Sequence, residues 1–416
     1  MKNPLLEYPS YRYFFISRVA STMASQMLAV VISWQMYELT NSAFYLGLVG
    51  LVQFLPSLIL TLPAGQVADR FDRRHVFALC QMGQLAVAVA LVAGTLGGWM
   101  DSHTILFAAV ALGVAKAFQA PAHQSLTPQL VPAAVLPRAL ATNASAQQLS
   151  AVIGPALGGF LYIAGAHVAY LVCASLYLIA SVVIPMIRTQ NAPRSRKPID
   201  LENLFAGFVF VWRRKDVLGA ITLDLFAVLL GGTVALLPIY ARDILHVDSW
   251  GLGLLRAAPA AGALLMALYL AQRPIKRNAG KVMFGAVALY GVFTLVFALS
   301  HSFLLSLLAL ALTGVFDMVS VVIRHSLVQL DTPNEMRGRV SAVNSVFTGA
   351  SSNLGQFESG VAAAWFGTVP AVVIGGVGTL LIVAAGIKMF PTLYRRDQLV
   401  PKTQELVGTQ IRPHPG

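Results

Sequence analysis

Two ionisable residues stand where apolar ones are expected. "VALGVAKAFQ" puts Lys116 near the middle of one apolar run, and "LTGVFDMVSV" puts Asp317 near the middle of another. Asp224 and Arg18 sit about two turns inside further runs, and Arg256 and Glu358 lie nearer the ends of two more. An ionisable group within such a run is costly and marks a substrate or ion path by default. A carboxylate there favours its neutral form unless a cation offsets the desolvation, so a site that alternates between these conditions takes up and releases protons. Asp317, Asp224 and Glu358 are therefore the proton-coupling candidates. Lys116, Arg18 and Arg256, with the polar stripe Thr22, Ser25 and Gln26, are the candidates for lining a substrate cavity. Plainer readings stay open: a permanent Lys116–Asp317 ion pair, snorkelling of Arg256 and Glu358 to water, and helix–helix hydrogen bonding by the stripe.

The elements that must hold these residues follow from composition. At 57% hydrophobic and 11% charged over 416 residues, the chain has more apolar surface than a soluble core of that size can bury. Runs long enough to cross a ~30 Å hydrocarbon layer recur throughout: 13–37, 43–64, 76–98, 104–122, 138–163, 167–187, 217–239, 250–270, 282–300, 303–323, 340–365 and 369–390. Lipid satisfies no backbone N–H or C=O, so each run is expected to be a helix. The alternating strands of a β-barrel are absent. The sequence therefore predicts an all-α membrane protein with twelve transmembrane helices.

The net charge of +12 does not point to nucleic acid. With the N-terminus inside, nearly all of the 29 Lys and Arg residues fall in linkers on one side, the positive-inside pattern. Both termini are then expected in the cytoplasm of a bacterium, in its inner membrane, and "MKNPLLEYPSYRYFF" carries no signal-cleavage pattern. Cys80 and Cys173 lie in different spans and suggest neither a disulfide nor a metal site. No phosphate loop, G-x-S-x-G elbow or zinc-ligand cluster occurs, so no enzyme activity, cofactor or metal is expected.

The chain divides six plus six. Between spans six and seven, "RTQNAPRSRKPIDLENLFAGFVFVWRRKD" opens as a linker. It continues as an amphipathic helix in which Leu201, Leu204, Phe205, Phe208, Val211 and Trp212 share one face, suited to the inner leaflet. The expected units are an N-terminal six-helix bundle (1–188), this linker (189–215), a C-terminal six-helix bundle (216–391) and a tail (392–416). The halves also repeat. An ungapped shift of 201 positions superposes Pro132 on Pro333, Arg138 on Arg339, Asn143 on Asn344, Gly154 on Gly355 and Gly159 on Gly360. The same shift superposes Lys116 on Asp317. Repeats packed around a midplane cavity are the architecture of secondary transporters.

"GQVADRFDRRHV", between spans two and three, resembles the loop signature of the major facilitator superfamily, Gly-x-x-x-Asp-Arg-x-Gly-Arg-Arg. Gly65, Asp69, Arg70, Arg73 and Arg74 match it, and Asp72 replaces the second Gly. The corresponding loop of the second half, "AQRPIKRNAGKVM", keeps only basic residues. "LDTPNEMRGRVSAVNSVF" and "LENLFAGFVFVWRRKDVLGAITL" resemble the enterobactin-exporter and macrolide-efflux branch. The resemblance implies two pseudo-symmetric bundles, with spans one, four, seven and ten around a cavity where Lys116 and Asp317 face one another. It also implies a cytoplasmic gate latched by Asp69 and its neighbouring arginines, with Arg138 and Arg339 beyond them. The expected function is proton-coupled export of an amphipathic small molecule, a siderophore or drug, by a monomer in the lipid bilayer. Import on the same fold, or a non-transporting scaffold or sensor, are the alternatives.

Overall fold

The computed structural model describes residues 4–188, 208–275 and 277–398. Among them lie twelve long helices. The first six are α1 (Pro9–Thr40), α2 (Ala43–Arg70), α3 (Arg73–Leu96), α4 (Ser102–Leu130), α5 (Leu136–Tyr162) and α6 (Ala166–Val183). The second six are α7 (Lys215–Leu230), α8 (Ser249–Gln272), α9 (Ala279–Leu299), α10 (Phe303–Leu330), α11 (Asn334–Phe366) and α12 (Thr368–Met389). Ten are long and apolar enough to cross a membrane on length and composition alone. The other two, α5 and α11, have 27 and 33 residues but carry runs of Asn, Gln, Ser and Thr.

Local chemistry sets the ends. Pro9 opens α1, where its missing N–H is not needed, and Asn41 closes it in the left-handed conformation with φ 48°. Asp72 caps α3 by accepting from the Arg74 N–H at 2.9 Å, and Asp101 caps α4 through the Thr104 N–H at 2.8 Å.

The second half repeats the packing of the first. In the first half α1 packs on α5 and α6, α2 on α4, and α3 on α4 and α6. In the second, α7 packs on α11 and α12, α8 on α10, and α9 on α10 and α12. Two seams join the halves, α2 with α11 and α5 with α8. With an even number of spans, both ends of the helical array lie on one face, termed here the terminal face; the opposite one is the distal face.

The cores are arranged unequally along the membrane normal. One apolar cluster draws Val31, Trp34, Tyr37 and Tyr170 from the first half and Tyr240, Leu252, Phe297 and Ala363 from the second, all toward the distal face. Toward the terminal face the clusters stay within one half: Phe14, Phe77 and Leu126 in the first, Leu223, Phe284 and Ile323 in the second. The molecule is closed distally and divided at its other end.

Span seven departs from the single 217–239 run. α7 stops at Leu230, and the chain continues through short turns at Thr233–Leu236, Leu237–Ile239 and Tyr240–Ile244. Gly231 and Gly232 make the break. A Cβ on Gly232 would strike the Gly355 carbonyl of α11, and the Tyr290 hydroxyl donates to the Gly231 carbonyl at 3.3 Å. Most of the expected amphipathic helix, Leu201, Leu204 and Phe205 included, lies outside the described residues. Its last turn is helical and docks on the second bundle, with Phe208 stacked on Phe347 and Val211 buried near Val217 and Val340. On the same face, Arg396, beyond α12, grips Asp331 with two bonds of 2.6 and 2.7 Å and reaches Asp216 at 3.3 Å.

Candidate functional site

A cavity of about 240 Å³ lies between the halves. α1 contributes Thr22, Ser25 and Gln26, α2 Gln53, α4 Lys116, α8 Arg256, and α11 Asn353 and Gln356. The Lys116 ammonium donates to Gln53 Oε1 at 3.1 Å. Arg256 crosses from the second half to α1, donating to the Ala29 carbonyl at 3.2 Å and reaching Ser33 Oγ at 3.4 Å. Among the described residues, no carboxylate lines it. Two cations, one from each half, therefore face a chamber otherwise polarised by amides and hydroxyls. Such a chamber suits an anionic group, since a desolvated cation without a counter-charge is the costly partner of a missing anion.

Above the cavity, polar groups latch the distal face. The Tyr37 hydroxyl donates to Asp243, and Arg242 lies 5.7 Å over the Tyr37 ring while donating to Asn41 at 3.1 Å. Within the first half, Tyr162 donates to Glu38, as does Trp34 at 2.7 Å. The seams beneath are backbone on backbone. A Cβ on Gly47 would meet the Gly360 Cα at 3.0 Å, and one on Gly159 would meet the Gly253 Cα at 2.9 Å. Gly159→Leu is therefore expected to block distal closure. Cysteine labelling of distal positions such as Ser33 should rise several-fold; unchanged labelling would show that the seam yields.

Lys116 and Asp317 are not brought together. Although both are equivalent in the repeat, Asp317 lines a separate cleft inside the second bundle, with Asp224, Tyr290 and Ser320. Asp224 is bound to Arg324 at 3.1 Å, with side-chain exposures of 4% and 2%. Arg324 also donates to Asn344 at 2.8 Å and Thr348 at 2.9 Å. Asp317, Ser320 and Arg324 share one face of α10, three and then four residues apart. Under the repeat shift Asp317 falls on Lys116, Ser320 on Gln119 and Arg324 on His123. Gln84 donates to Gln119 at 2.9 Å, and His123 stacks on Phe14.

Arg18 does not line the central cavity; it donates to Gln147 of α5 at 2.9 Å. It shares the α1 face of Thr22, Ser25 and Gln26 but lies nearer the terminal face, where α5 takes its guanidinium. Glu358 is half-buried beside Ser359 and joins neither cleft. In the loop signature, Gly65, Asp69 and Arg70 end α2 and Arg73 opens α3. The Asp69 side chain lies outside the described residues. Arg74 pairs with Asp72 at 2.8 Å and donates to the Ile187 carbonyl at 2.8 Å, both within its own half. That hydrogen bond from Arg74 holds the Asp72 carboxyl below its usual range, so cap and pair persist on acidification until pH falls through the lowered value. Arg138 is exposed at the start of α5, and Arg339 donates to the Met336 sulfur at 3.5 Å.

Arg324 is the residue that the sequence does not single out. It falls just past an apolar run and counts there as a loop cation. Its signal is spacing, seven residues from Asp317 on one helical face, and register, as the mate of His123.

The family model described as Major Facilitator Superfamily matches residues 14–356. The chain is 26% identical over 396 residues to the enterobactin exporter EntS of Citrobacter koseri, covering 91% of each. It is 26% identical over 416 residues to that of Escherichia coli O81, covering 96% of each. Among solved structures, an inward-facing, occupied bacterial homologue of the lysosomal transporter Spinster has a TM-score of 0.73 at 13% identity, with 95% of this chain and 98% of that one covered. A bacterial homologue of ferroportin, inward-facing, has 0.69 at 15% identity, with 95% and 100% covered. Twelve helices in two repeated sets of six, the loop signature and the family match converge: the chain is a multi-pass membrane transporter and belongs to the Major Facilitator Superfamily.

Proposed function

We propose that the protein exports an anionic, amphipathic small molecule across a bacterial inner membrane by alternating access, driven by proton entry. The observation that carries this reading is the cavity bearing Lys116 and Arg256 without a carboxylate, shared by the two halves and closed at the distal face. The Lys and Arg bias supports a terminal face in the cytoplasm, with the cavity set to load from inside. An anion bound between Lys116 of one half and Arg256 of the other favours their approach and so biases which face is open. Asp317 and Asp224, in the second bundle, are the proposed proton carriers; Glu358 stands apart from both. The enterobactin exporters support a siderophore-like substrate, and a catecholate offers several acidic oxygens to the two cations.

The test is accumulation of enterobactin by inside-out vesicles with a pH gradient imposed or collapsed. Gradient-dependent accumulation is expected. Accumulation only in right-side-out vesicles would reverse the direction, and gradient-independent accumulation would remove the proton.

The loop signature has its own test. Asp69→Asn is expected to insert normally yet lower transport several-fold, with the balance between the two open states shifted. Unchanged transport would reduce the loop to an orientation signal.

A further inference from the structure

The cleft inside the second bundle is a separate chamber from the substrate cavity, and its charges do not cancel. Asp224 is neutralised by Arg324 at 3.1 Å, which leaves Asp317 as a second carboxylate on the same small space. The space measures about 10 Å³, room for one water-sized sphere. Ser320 lines it and is 2% exposed, yet its hydroxyl oxygen has no hydrogen-bond partner among the described residues. A buried hydroxyl left unpaired costs free energy that a bound group would recover.

The geometry points to a sodium site in this cleft, one that sodium and a proton occupy in competition. It rests on the proposal that the protein is a cation-driven transporter, and adds the identity of a second ion. Three features select the ligand. The donors are hard oxygens, from Asp317, Asp224 and Ser320, which suit a hard cation. The local charge is one negative in excess, which a monovalent cation neutralises and a divalent one would overshoot. The volume admits one dehydrated ion and no hydration shell. The groups facing Asp317 are Asp224 from α7, Tyr290 from α9 and Arg324 from its own helix, so sodium and a proton compete for the same single negative charge. The same residues tie α7, whose continuation breaks at Gly231 and Gly232, to α10. An ion bound here would fix the broken helix against its neighbour.

The test is the thermal unfolding midpoint of the purified full chain, titrated with NaCl against choline chloride at constant ionic strength. At pH 8, sodium is expected to raise the midpoint and choline not to; at pH 5.5 the sodium response should fade as protons take the site. Ser320→Ala should weaken the apparent sodium affinity several-fold while proton-driven vesicle transport persists, and Asp317→Asn should abolish the sodium response. Equal midpoints in sodium and choline at pH 8 would overturn the site. So would a sodium response that survives Asp317→Asn. A midpoint that follows pH but ignores sodium would leave a proton-only cleft and overturn the sodium assignment. Vesicle transport driven by a pH gradient stands or fails on its own and judges the export proposal separately.

Discussion

Arg324→Met is expected to destabilise the protein by ~3–5 kcal/mol, because it leaves the Asp224 carboxylate buried without its counter-charge. Asp224 and Arg324 are 3.1 Å apart and almost wholly buried, so bulk water does not replace the lost partner. Asn344 and Thr348 would lose their donor at the same time. The double variant Arg324→Met with Asp224→Leu removes both charges and should recover most of the loss. The thermal midpoint of detergent-solubilised protein measures both. A single variant as stable as the parent would mean that Asp224 is already neutral. A double variant no better than the single would place the importance in the Asn344 and Thr348 bonds.

Lys116→Gln and Arg256→Gln are expected to leave the fold intact and each to weaken binding of an anionic substrate by ~2–5 kcal/mol, the range for removing one partner of a desolvated charge pair. That corresponds to roughly 30-fold or more in affinity. Each cation already has neutral hydrogen-bond partners, Gln53 for Lys116 and the Ala29 carbonyl for Arg256, and a glutamine amide can keep part of them. Stability should change little as a result. Ligand-induced stabilisation by enterobactin, measured beside vesicle transport, distinguishes the cases. Full transport by either variant would show that its cation serves only to join helices. Equal losses for anionic and neutral ligands would indicate a change in cavity shape rather than in charge recognition.

The helices were legible because length and apolarity are local properties, and lipid leaves the backbone no other choice. The repeat was legible because identical residues such as Asn143 and Asn344 fall in register. Both prove to be fully buried: Asn143 beside Thr127 of α4, Asn344 accepting from Arg324 of α10. What the sequence could not give is direction around a helix. Lys116 and Asp317 occupy equivalent positions, yet they line different cavities. The glycines one turn before them, Gly113 and Gly314, both press on the neighbouring second helix of their half, Gln53 and Pro259. Lys116 turns to Gln53, whereas Asp317 meets the cleft of Asp224 and Tyr290. Arg324 was missed because the apolar run was ended at 323, one residue before it, while the helix continues to Leu330 and buries that charge with a partner 100 residues away in sequence. Gln53, Asn353 and Gln356 carry no charge to draw notice, and only the crossing of the halves makes them a lining.

The glycine seams carry a mechanical consequence. Where Gly47 meets Gly360 and Gly159 meets Gly253, the surfaces have no side chains to interlock, so parting them strands no protruding group in an empty socket. The contact behaves as a smooth bearing rather than a toothed one. What opening gives up is then the apolar cluster that the halves share at the distal face, with the polar catches at its rim, Tyr37 to Asp243 and Arg242 to Asn41. About 5.5 kcal/mol of preference for one state over the other is enough to carry a population from one extreme to the other, however tightly the cargo is held in either.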